Sequence, residues 1–134
     1  MHWKIRIRKA NKNDIGSIKE IDDLYLEAKH SIDYFSNKID NILVALDSEK
    51  VIGYVMYKED EVLNLVILPD YRRKGIGKGL MEKIMKKSRR IVCRTRENNK
   101  QALTFWKRIG FKEKGRIERY YKNGDNAIEM EWVI

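Results

Sequence analysis

The sequence has very little of the residues that cross-link or break a chain, because it contains one cysteine and one proline among 134 residues. The single cysteine, Cys93, excludes an internal disulfide and a cysteine-rich metal site, and we expect it to be a buried strand residue. Apolar runs such as ILVAL are far shorter than the ~20 residues that span a bilayer. The N-terminus alternates charged and apolar residues, unlike a signal peptide. These absences predict a cytoplasmic protein without a metal or a membrane partner.

Positive charge is concentrated in the second half of the chain. The net charge is +9, but residues 72–122 carry 19 Lys and Arg against 4 Asp and Glu, and the remainder carries 10 against 16. Such asymmetry fits either a solvated, lysine-rich surface or an anionic partner, for which nucleic acid and a phosphorylated cofactor are both candidates. No linker, repeat or low-complexity segment divides the chain, so a single domain over residues 1–134 is predicted.

Periodic apolar residues predict an α+β domain with a mixed, mostly antiparallel sheet of six to seven strands and flanking helices. The predicted strands cover 4–8, 41–46, 51–57, 61–68, 90–95, 111–117 and 126–134. The predicted helices cover 11–29, 75–87 and 98–110. Segment 30–40 fits a short helix or a loop. The strand–helix–strand unit from Glu61 to Thr95 implies one parallel crossover. Gly53, inside a strand, predicts a bulge or a close approach of two backbones.

The stretch PDYRRKGIGKG, residues 69–79, joins a predicted strand to a predicted helix and combines glycine with positive charge. A helix N-terminus offers unpaired backbone N–H groups and a partial positive charge, and glycine lets the backbone approach an anion closely. The spacing excludes two familiar phosphate motifs, because no Gly-Lys-[Ser/Thr] follows as in a P-loop and the glycines do not fit the Rossmann pattern. The stretch therefore predicts a turn that binds pyrophosphate, with a purely structural turn as the alternative.

Two motifs resemble the GNAT superfamily of acetyl-CoA-dependent acyltransferases. RRKGIG, residues 72–77, matches its R/Q-x-x-G-x-G/A signature, and NKQALTFWKRIGF, residues 99–111, is similar to its later N-x-x-A helix. The predicted order of elements also resembles the fold of this family, along almost the whole chain. YYKNGDNAIEM, residues 120–130, resembles the tail of ribosomal-protein-alanine and related protein N-terminal acetyltransferases, with Asp125 and Asn126 in place of the usual Glu-Asp.

The resemblance implies an acetyl-CoA site and no metal. Leu65, Val66 and Ile67 match the strand whose backbone receives the acetyl group and pantetheine, where a main-chain N–H polarises the thioester carbonyl. Asn99 and Trp106 match positions of the later helix that contact the cofactor. The pyrophosphate would be held by the turn residues Arg72, Arg73, Lys74, Gly75, Ile76, Gly77 and Lys78.

The implied reaction is direct attack of a neutral amine on the thioester, followed by protonation of the leaving thiolate. The family commonly uses a tyrosine as the acid, and Trp106 stands at that position here. Because indole cannot donate a proton at a useful pH, we expect either that CoA leaves as a thiolate or that Tyr120 or Tyr121 supplies the proton.

The base implied by the resemblance is also unusual. Ribosomal-protein-type acetyltransferases carry a glutamate five residues before the asparagine of the motif, and this chain has Arg94 there. Glu61 matches the catalytic glutamate of histone-type GNAT lysine acetyltransferases. Strand alternation predicts that it shares a face with Leu63, Leu65 and Ile67.

Other titratable residues are weaker candidates for the base. Glu97 is one of them, because it adjoins the predicted cofactor helix. For Glu61, the alternative interpretation is a solvated residue of the turn before its strand. His2 and His30 are expected at the surface.

Several functions fit these patterns. The main interpretation is acetyl transfer to a protein amine, either an N-terminal α-amine or a lysine ε-amine. The alternative acceptor is a small amine such as a polyamine, an amino acid or an aminoglycoside. A non-catalytic CoA-binding sensor also fits, because Trp106 and Arg94 occupy the acid and base positions. A nucleic-acid-binding module is less favoured, since no clear stacking surface or helix-turn-helix is found. A monomer or a homodimer is expected.

Overall fold

The computed structural model describes residues 4–26 and 29–134, and this part of the chain forms seven strands and four α-helices in the predicted order. The strands are β1 Ile5–Lys9, β2 Ile42–Asp47, β3 Lys50–Lys58, β4 Glu61–Ile67, β5 Arg90–Arg96, β6 Lys112–Ile117 and β7 Ala127–Val133. The helices are α1 Ile15–Tyr25, α2 Ile32–Asn37, α3 Ile76–Met85 and α4 Lys100–Arg108. The ambiguous segment at 30–40 is therefore helical over α2. Residues 27 and 28 of the first predicted helix, and His2, lie outside the described residues.

All seven strands belong to one sheet with the order β1-β2-β3-β4-β5-β7-β6. Neighbouring strands are antiparallel except β4 and β5, which are parallel and are joined by α3. The predicted mixed sheet with one parallel crossover is confirmed. No helix in residues 4–26 and 29–134 is long and apolar enough to cross a membrane.

Helices cover both faces of the sheet. On the α3–α4 face, a core cluster includes Leu80 and Met81 of α3 and Trp106 of α4. On the α1–α2 face, Ile18 of α1 and Phe35 of α2 pack on β2, β3 and β4. Isoleucines three residues apart in α1 place its apolar side on this cluster. The core cluster on the α1–α2 face contains no described residue of β5, β6 or β7. Where these strands border the α1–α2 face, they carry charged side chains instead.

Cys93 lies in β5 with 2% of its surface exposed, as predicted. Burial raises the pKa of its thiol to about 12, so the thiol stays protonated and unreactive at neutral pH.

Gly53 lies at a close approach between β3 and β4. The register between β2 and β3 shifts beside it, so that Ile52 is an extra residue in β3. A Cβ on Gly53 would lie 2.6 Å from the Ile67 side chain and 2.8 Å from the Val66 carbonyl oxygen. The bulge and the close approach predicted at this glycine are therefore both present.

A second irregularity corrects the predicted orientation of Glu61. The register between β3 and β4 shifts at Leu63, which is an extra residue in β4. Leu63 and Val66 consequently pack toward the α1–α2 cluster, whereas Leu65 and Ile67 pack toward the α3–α4 cluster. Val62, the next residue of β4, belongs to the α3–α4 cluster. Because neighbouring strand residues point to opposite faces, Glu61 points to the α1–α2 face. It shares that face with Leu63, and the prediction that it also shares a face with Leu65 and Ile67 is wrong because the bulge breaks the alternation.

The sheet opens between β4 and β5. Their parallel pairing consists of two residue pairs, Glu61 with Val92 and Val62 with Cys93. Beyond these pairs, β4 continues beside β3 and β5 continues beside β7. Residues 63–67 and 94–96 therefore border a gap that connects the two faces of the sheet.

Candidate functional site

The glycine-rich turn leads from the end of β4, beside this gap, into α3. The helix begins at Ile76, directly after Gly75, whose φ of +81° is left-handed. Arg73 is also left-handed, with a φ of +61°, which is uncommon for a residue other than glycine. The side chains of Arg72, Arg73, Lys74 and Lys78 are exposed. The turn thus combines the N–H groups of a helix N-terminus with cationic side chains, which is the arrangement that favours a bound phosphate.

Side-chain contacts fix this turn against three other elements. Nε of Arg72 donates to the Ile67 carbonyl oxygen over 2.9 Å, and its guanidinium lies 5.8 Å from the centre of the Tyr25 ring. The Tyr71 hydroxyl donates to Asp47 over 2.7 Å. Arg72 is therefore a candidate phosphate ligand that also connects the turn to α1 and to the end of β4.

α4 packs directly behind the turn. Asn99 caps this helix, since its Oδ1 accepts a hydrogen bond from a backbone N–H of the first turn over 3.1 Å. Trp106 is 6% exposed, with its ring 5.1 Å from that of Phe105 and 4.9 Å from that of Phe111. A Cβ on Gly77 would lie 3.3 Å from the Phe105 ring, so glycine permits the close contact of α3 with α4. Asn99 thus has a structural role, and Trp106 lies in the core, where its indole N–H is too weakly acidic to protonate a leaving thiolate.

An ion-pair network occupies the α1–α2 face at the gap. Nη1 of Arg94 donates to Glu61 over 2.5 Å, and Nη2 lies 3.2 Å from a carboxylate oxygen of Glu129. Glu61 and Arg94, which occupy the two positions at which the resemblance implies a base, therefore form an ion pair with each other.

Two tyrosines on the β6–β7 connection lie against the same network. The Tyr120 ring is 5.8 Å from the Arg94 guanidinium, and the Tyr121 ring is 4.0 Å from that of Arg96. Burial raises the pKa of Tyr121, which keeps its phenol protonated at neutral pH. Arg94 thus brings the predicted catalytic residues Glu61 and Tyr120 together, and the Tyr121 ring lies 5.0 Å from that of Tyr120.

Glu97 is poorly suited to accept a proton. It lies 2.5 Å from Arg116, and this hydrogen bond, with a second from Asn126, lowers the pKa of its carboxyl group. A carboxylate with a lowered pKa holds a proton weakly, so the weaker candidate for the base is disfavoured.

The sequence analysis missed a pair formed by Asp22 and His30. Asp22 is completely buried in α1, with Oδ1 3.3 Å from Nδ1 of His30 and Oδ2 accepting the His30 backbone N–H over 3.2 Å. The His30 side chain is 24% exposed, so the expectation of a surface residue is corrected. One signal was available, since Asp22 lies four residues after Ile18 on the apolar stripe of the predicted helix. A carboxylate in that position requires a buried partner.

Comparisons with known proteins agree with this fold. Residues 38–113 match the family described as Acetyltransferase (GNAT) domain. The chain is similar to an N-alpha-acetyltransferase of Sulfurisphaera tokodaii, with 27% identity over 93% of this chain and 90% of the other. It is 35% identical to the peptidyl-lysine N-acetyltransferase YjaB of Salmonella typhimurium over 54% of this chain and 50% of the other. Among solved structures, Arabidopsis thaliana NAA60 in complex with acetyl-CoA matches with a TM-score of 0.88 and 19% identity, covering 98% of this chain and all of the other. The fold implied by the resemblance is confirmed.

Proposed function

Because the chain belongs to the GNAT family of acetyltransferases, we propose that it transfers the acetyl group of acetyl-CoA to a protein amine, either an N-terminal α-amine or a lysine ε-amine. The observation that carries the proposal is the glycine-rich turn at the N-terminus of α3, which lies beside the gap between β4 and β5. The names of the relatives support both kinds of amine, since one is an N-alpha-acetyltransferase and another a peptidyl-lysine acetyltransferase. The proposed location is the cytoplasm, and the state as a monomer or a homodimer stays a prediction.

The donor would lie across the gap. Its pyrophosphate fits the turn at residues 72–78, where backbone N–H groups and cationic side chains converge. The thioester would then lie against Leu65, Val66 and Ile67, where β4 has separated from β5. A main-chain N–H at this edge can donate to the carbonyl oxygen and stabilise the negative charge that develops on it.

The acceptor would approach from the α1–α2 face. α3 and α4 cover the other face, and the cofactor turn belongs to that side. The α1–α2 face of β5 and β7 instead presents the Arg94 network and the Tyr120 ring, which is 46% exposed. An amine on this face would attack the thioester directly through the gap, and the C–S bond would break as the C–N bond forms.

The missing acid can be tested at Trp106. We expect Trp106→Tyr to raise kcat by about tenfold, because a phenol can protonate the leaving thiolate and general acid catalysis contributes at least that much. Steady-state kinetics with acetyl-CoA and a peptide acceptor measure the change. Trp106→Phe is the matched control, since it alters the packing without adding a hydroxyl. Equal kcat values for the two variants would indicate instead that CoA leaves as a thiolate or that Tyr120 or Tyr121 is the donor.

The proposed function itself is tested with a panel of acceptors. The protein is incubated with acetyl-CoA and with peptides that carry a free α-amine, a lysine with a blocked N-terminus, or both, and a polyamine and an aminoglycoside are included. We expect a mass increase of one acetyl group on peptides, and fragmentation identifies the modified nitrogen. Acetylation of the small amines alone would contradict a protein acceptor. Binding of acetyl-CoA without any transfer would indicate a CoA sensor.

A further inference from the structure

α3 and α4 end at the same edge of the sheet. α3 connects the end of β4 to the start of β5, and α4 connects the end of β5 to the start of β6. β4, β5 and β6 run in one direction, because β4 is parallel to β5 and β7 is antiparallel to both β5 and β6. Both helices therefore end at the edge where β5 and β6 begin, which is opposite to the cofactor turn. A helix of 10 residues is about 15 Å long, so this edge is well separated from the turn.

The two helix ends carry a high density of positive charge. We call residues 82–89 and 107–113, which surround these ends, the helix-end patch. It contains four Lys and Arg in the first segment and three in the second, against the two acids Glu82 and Glu113. All seven cationic side chains are exposed, whereas Ile84 of the first segment and Phe111 of the second pack into the α3–α4 core cluster. The patch thus presents its cations to solvent on the outer surface of this face.

The fold does not neutralise this charge. Within residues 4–26 and 29–134, the ion pair found in the patch joins Lys107 to Glu113 over 3.3 Å. By contrast, the three arginines of the neighbouring β5 each pair with a carboxylate. A cation in the last turn of a helix stabilises the helix dipole, but like charges three residues apart, such as Lys83 and Lys86, repel each other. An anionic partner would remove this repulsion.

We propose that the helix-end patch binds the phosphate backbone of a nucleic-acid duplex, as a second function beside acetyl transfer. A duplex carries one phosphate charge per about 1.7 Å of its axis, and cations that neutralise phosphates release the bound counterions. Contacts to phosphates position a protein on the duplex without reading its sequence. Such binding requires neither a helix-turn-helix nor a stacking surface, so their absence from the sequence patterns does not argue against it.

The side chains of the patch favour a duplex over a lipid surface or a single strand. Among the described residues, the exposed large apolar side chains lie outside 82–89 and 107–113. Ile134, whose N–H donates to the Arg89 carbonyl oxygen, adjoins the patch, but stable membrane attachment requires more than one weak anchor. Single strands bind by stacking on aromatic rings, and the aromatic residue of the patch, Phe111, is 2% exposed. The patch therefore offers charge without an apolar or aromatic surface.

The position of the patch leaves the proposed acetyl-transfer site accessible. The patch lies on the α3–α4 side of the sheet, and the acceptor is proposed to approach from the α1–α2 face. A duplex at the helix ends would therefore cover neither the cofactor turn nor the gap between β4 and β5. Bound in this way, the enzyme would be held close to proteins that assemble on nucleic acid. Duplex binding itself does not depend on the proposed acetyl transfer.

The test measures duplex binding by the fluorescence anisotropy of a labelled RNA duplex of about 20 base pairs and of the corresponding DNA duplex, between about 50 and 200 mM salt. We expect a Kd in the range of about 1–100 μM near physiological salt, with an affinity that falls steeply as salt rises. The triple variant Lys86→Ala, Lys87→Ala and Arg108→Ala should bind at least about 100-fold more weakly at low salt. The slope of log affinity against log salt should be shallower by about two to three.

The control removes the same charge from another part of the sheet. Lys4→Ala, Lys9→Ala and Lys12→Ala alter exposed side chains beside β1, which is the edge strand four positions from β5. The affinity of this variant for the duplex should stay within a few-fold of that of the unaltered protein. An equal loss in both triple variants would mean that overall charge attracts the duplex, and it would overturn the patch as a site.

The remaining outcomes distinguish the patch from other anion sites. Similar binding of RNA and DNA would support contact with the backbone, and a preference for one of them would support it and identify the duplex. Tighter binding of the single strand, or binding of phosphatidylserine vesicles without binding of either duplex, would overturn the proposal. Displacement of the duplex by acetyl-CoA would also overturn it, because the duplex would then occupy the cofactor turn.

Acetyl transfer is measured separately with the same variant. The triple variant Lys86→Ala, Lys87→Ala and Arg108→Ala should acetylate peptides with the kcat/KM of the unaltered protein, since none of these residues lies at the turn or the gap. A loss of acetylation equal to the loss of duplex affinity would overturn the patch as a separate site. The absence of acetyl transfer by the unaltered protein would contradict the proposed function and leave the duplex measurement to decide this inference.

Discussion

Gly53→Ala is expected to lower the free energy of unfolding by about 1–3 kcal/mol and to weaken the binding of acetyl-CoA. The added Cβ would lie 2.8 Å from the Val66 carbonyl oxygen, so part of the strain falls on a backbone that side-chain rotation cannot relieve. Val66 and Ile67 belong to the strand that is proposed to receive the acetyl group. Chemical denaturation measures the stability, and isothermal titration with acetyl-CoA measures the affinity.

Gly16→Ala is the matched control for this substitution. A Cβ at Gly16 meets no atom within 4 Å, and the residue lies in α1, where alanine is favoured over glycine by about 1 kcal/mol. The control should therefore be slightly more stable than the unaltered protein, with the same affinity for acetyl-CoA. If both alanine variants had the same stability, the close approach at Gly53 would not be a constraint on the fold.

The double substitution Arg73→Ala with Lys74→Ala is expected to weaken acetyl-CoA binding by at least about 100-fold. A hydrogen bond to a charged group contributes about 1.5–3 kcal/mol, and two are removed here. Both side chains are exposed at the turn, so the fold should be retained. Isothermal titration at a fixed salt concentration measures the affinity, because screening weakens such contacts.

The control for this pair keeps the same change in charge but places it elsewhere. Lys83→Ala with Lys86→Ala removes two exposed cations at the far end of α3. Its affinity for acetyl-CoA should differ little from that of the unaltered protein. An equal loss in both double variants would mean that overall charge, and not the turn, attracts the cofactor. An unchanged affinity in the first variant would rule out the turn as the pyrophosphate site.

The sequence predicted those parts of the structure that depend on local patterns. Alternation and helical spacing located the strands and helices, and the glycine-rich stretch correctly marked a turn that leads into the N-terminus of α3. Contacts between distant residues were not predictable in this way. The pair between Glu61 and Arg94 joins residues 33 apart, and it forms because β4 and β5 lie side by side.

Two further features depend on the folded chain. The bulge at Leu63 reverses the direction of Glu61, and no residue type in EVLNLVI marks it. Asp22 on an apolar helix stripe did indicate a buried partner, but the partner follows a turn of the chain, so the sequence could not identify it as His30.

The gap between β4 and β5 also has a consequence for the order of folding. In the first unit, β1 to β4, each strand pairs with the strand that follows it in the sequence. β5, β7 and β6 form a second antiparallel unit within residues 90–133. The backbone pairing between these units consists of two residue pairs of β4 with β5, which connect residues 31 apart in the chain, and the α3 crossover links the same two strands. Because closing a longer loop costs more entropy, the two units are expected to form early and to dock late. The docking step that completes the sheet is then the same step that creates the gap in which we propose that the thioester lies.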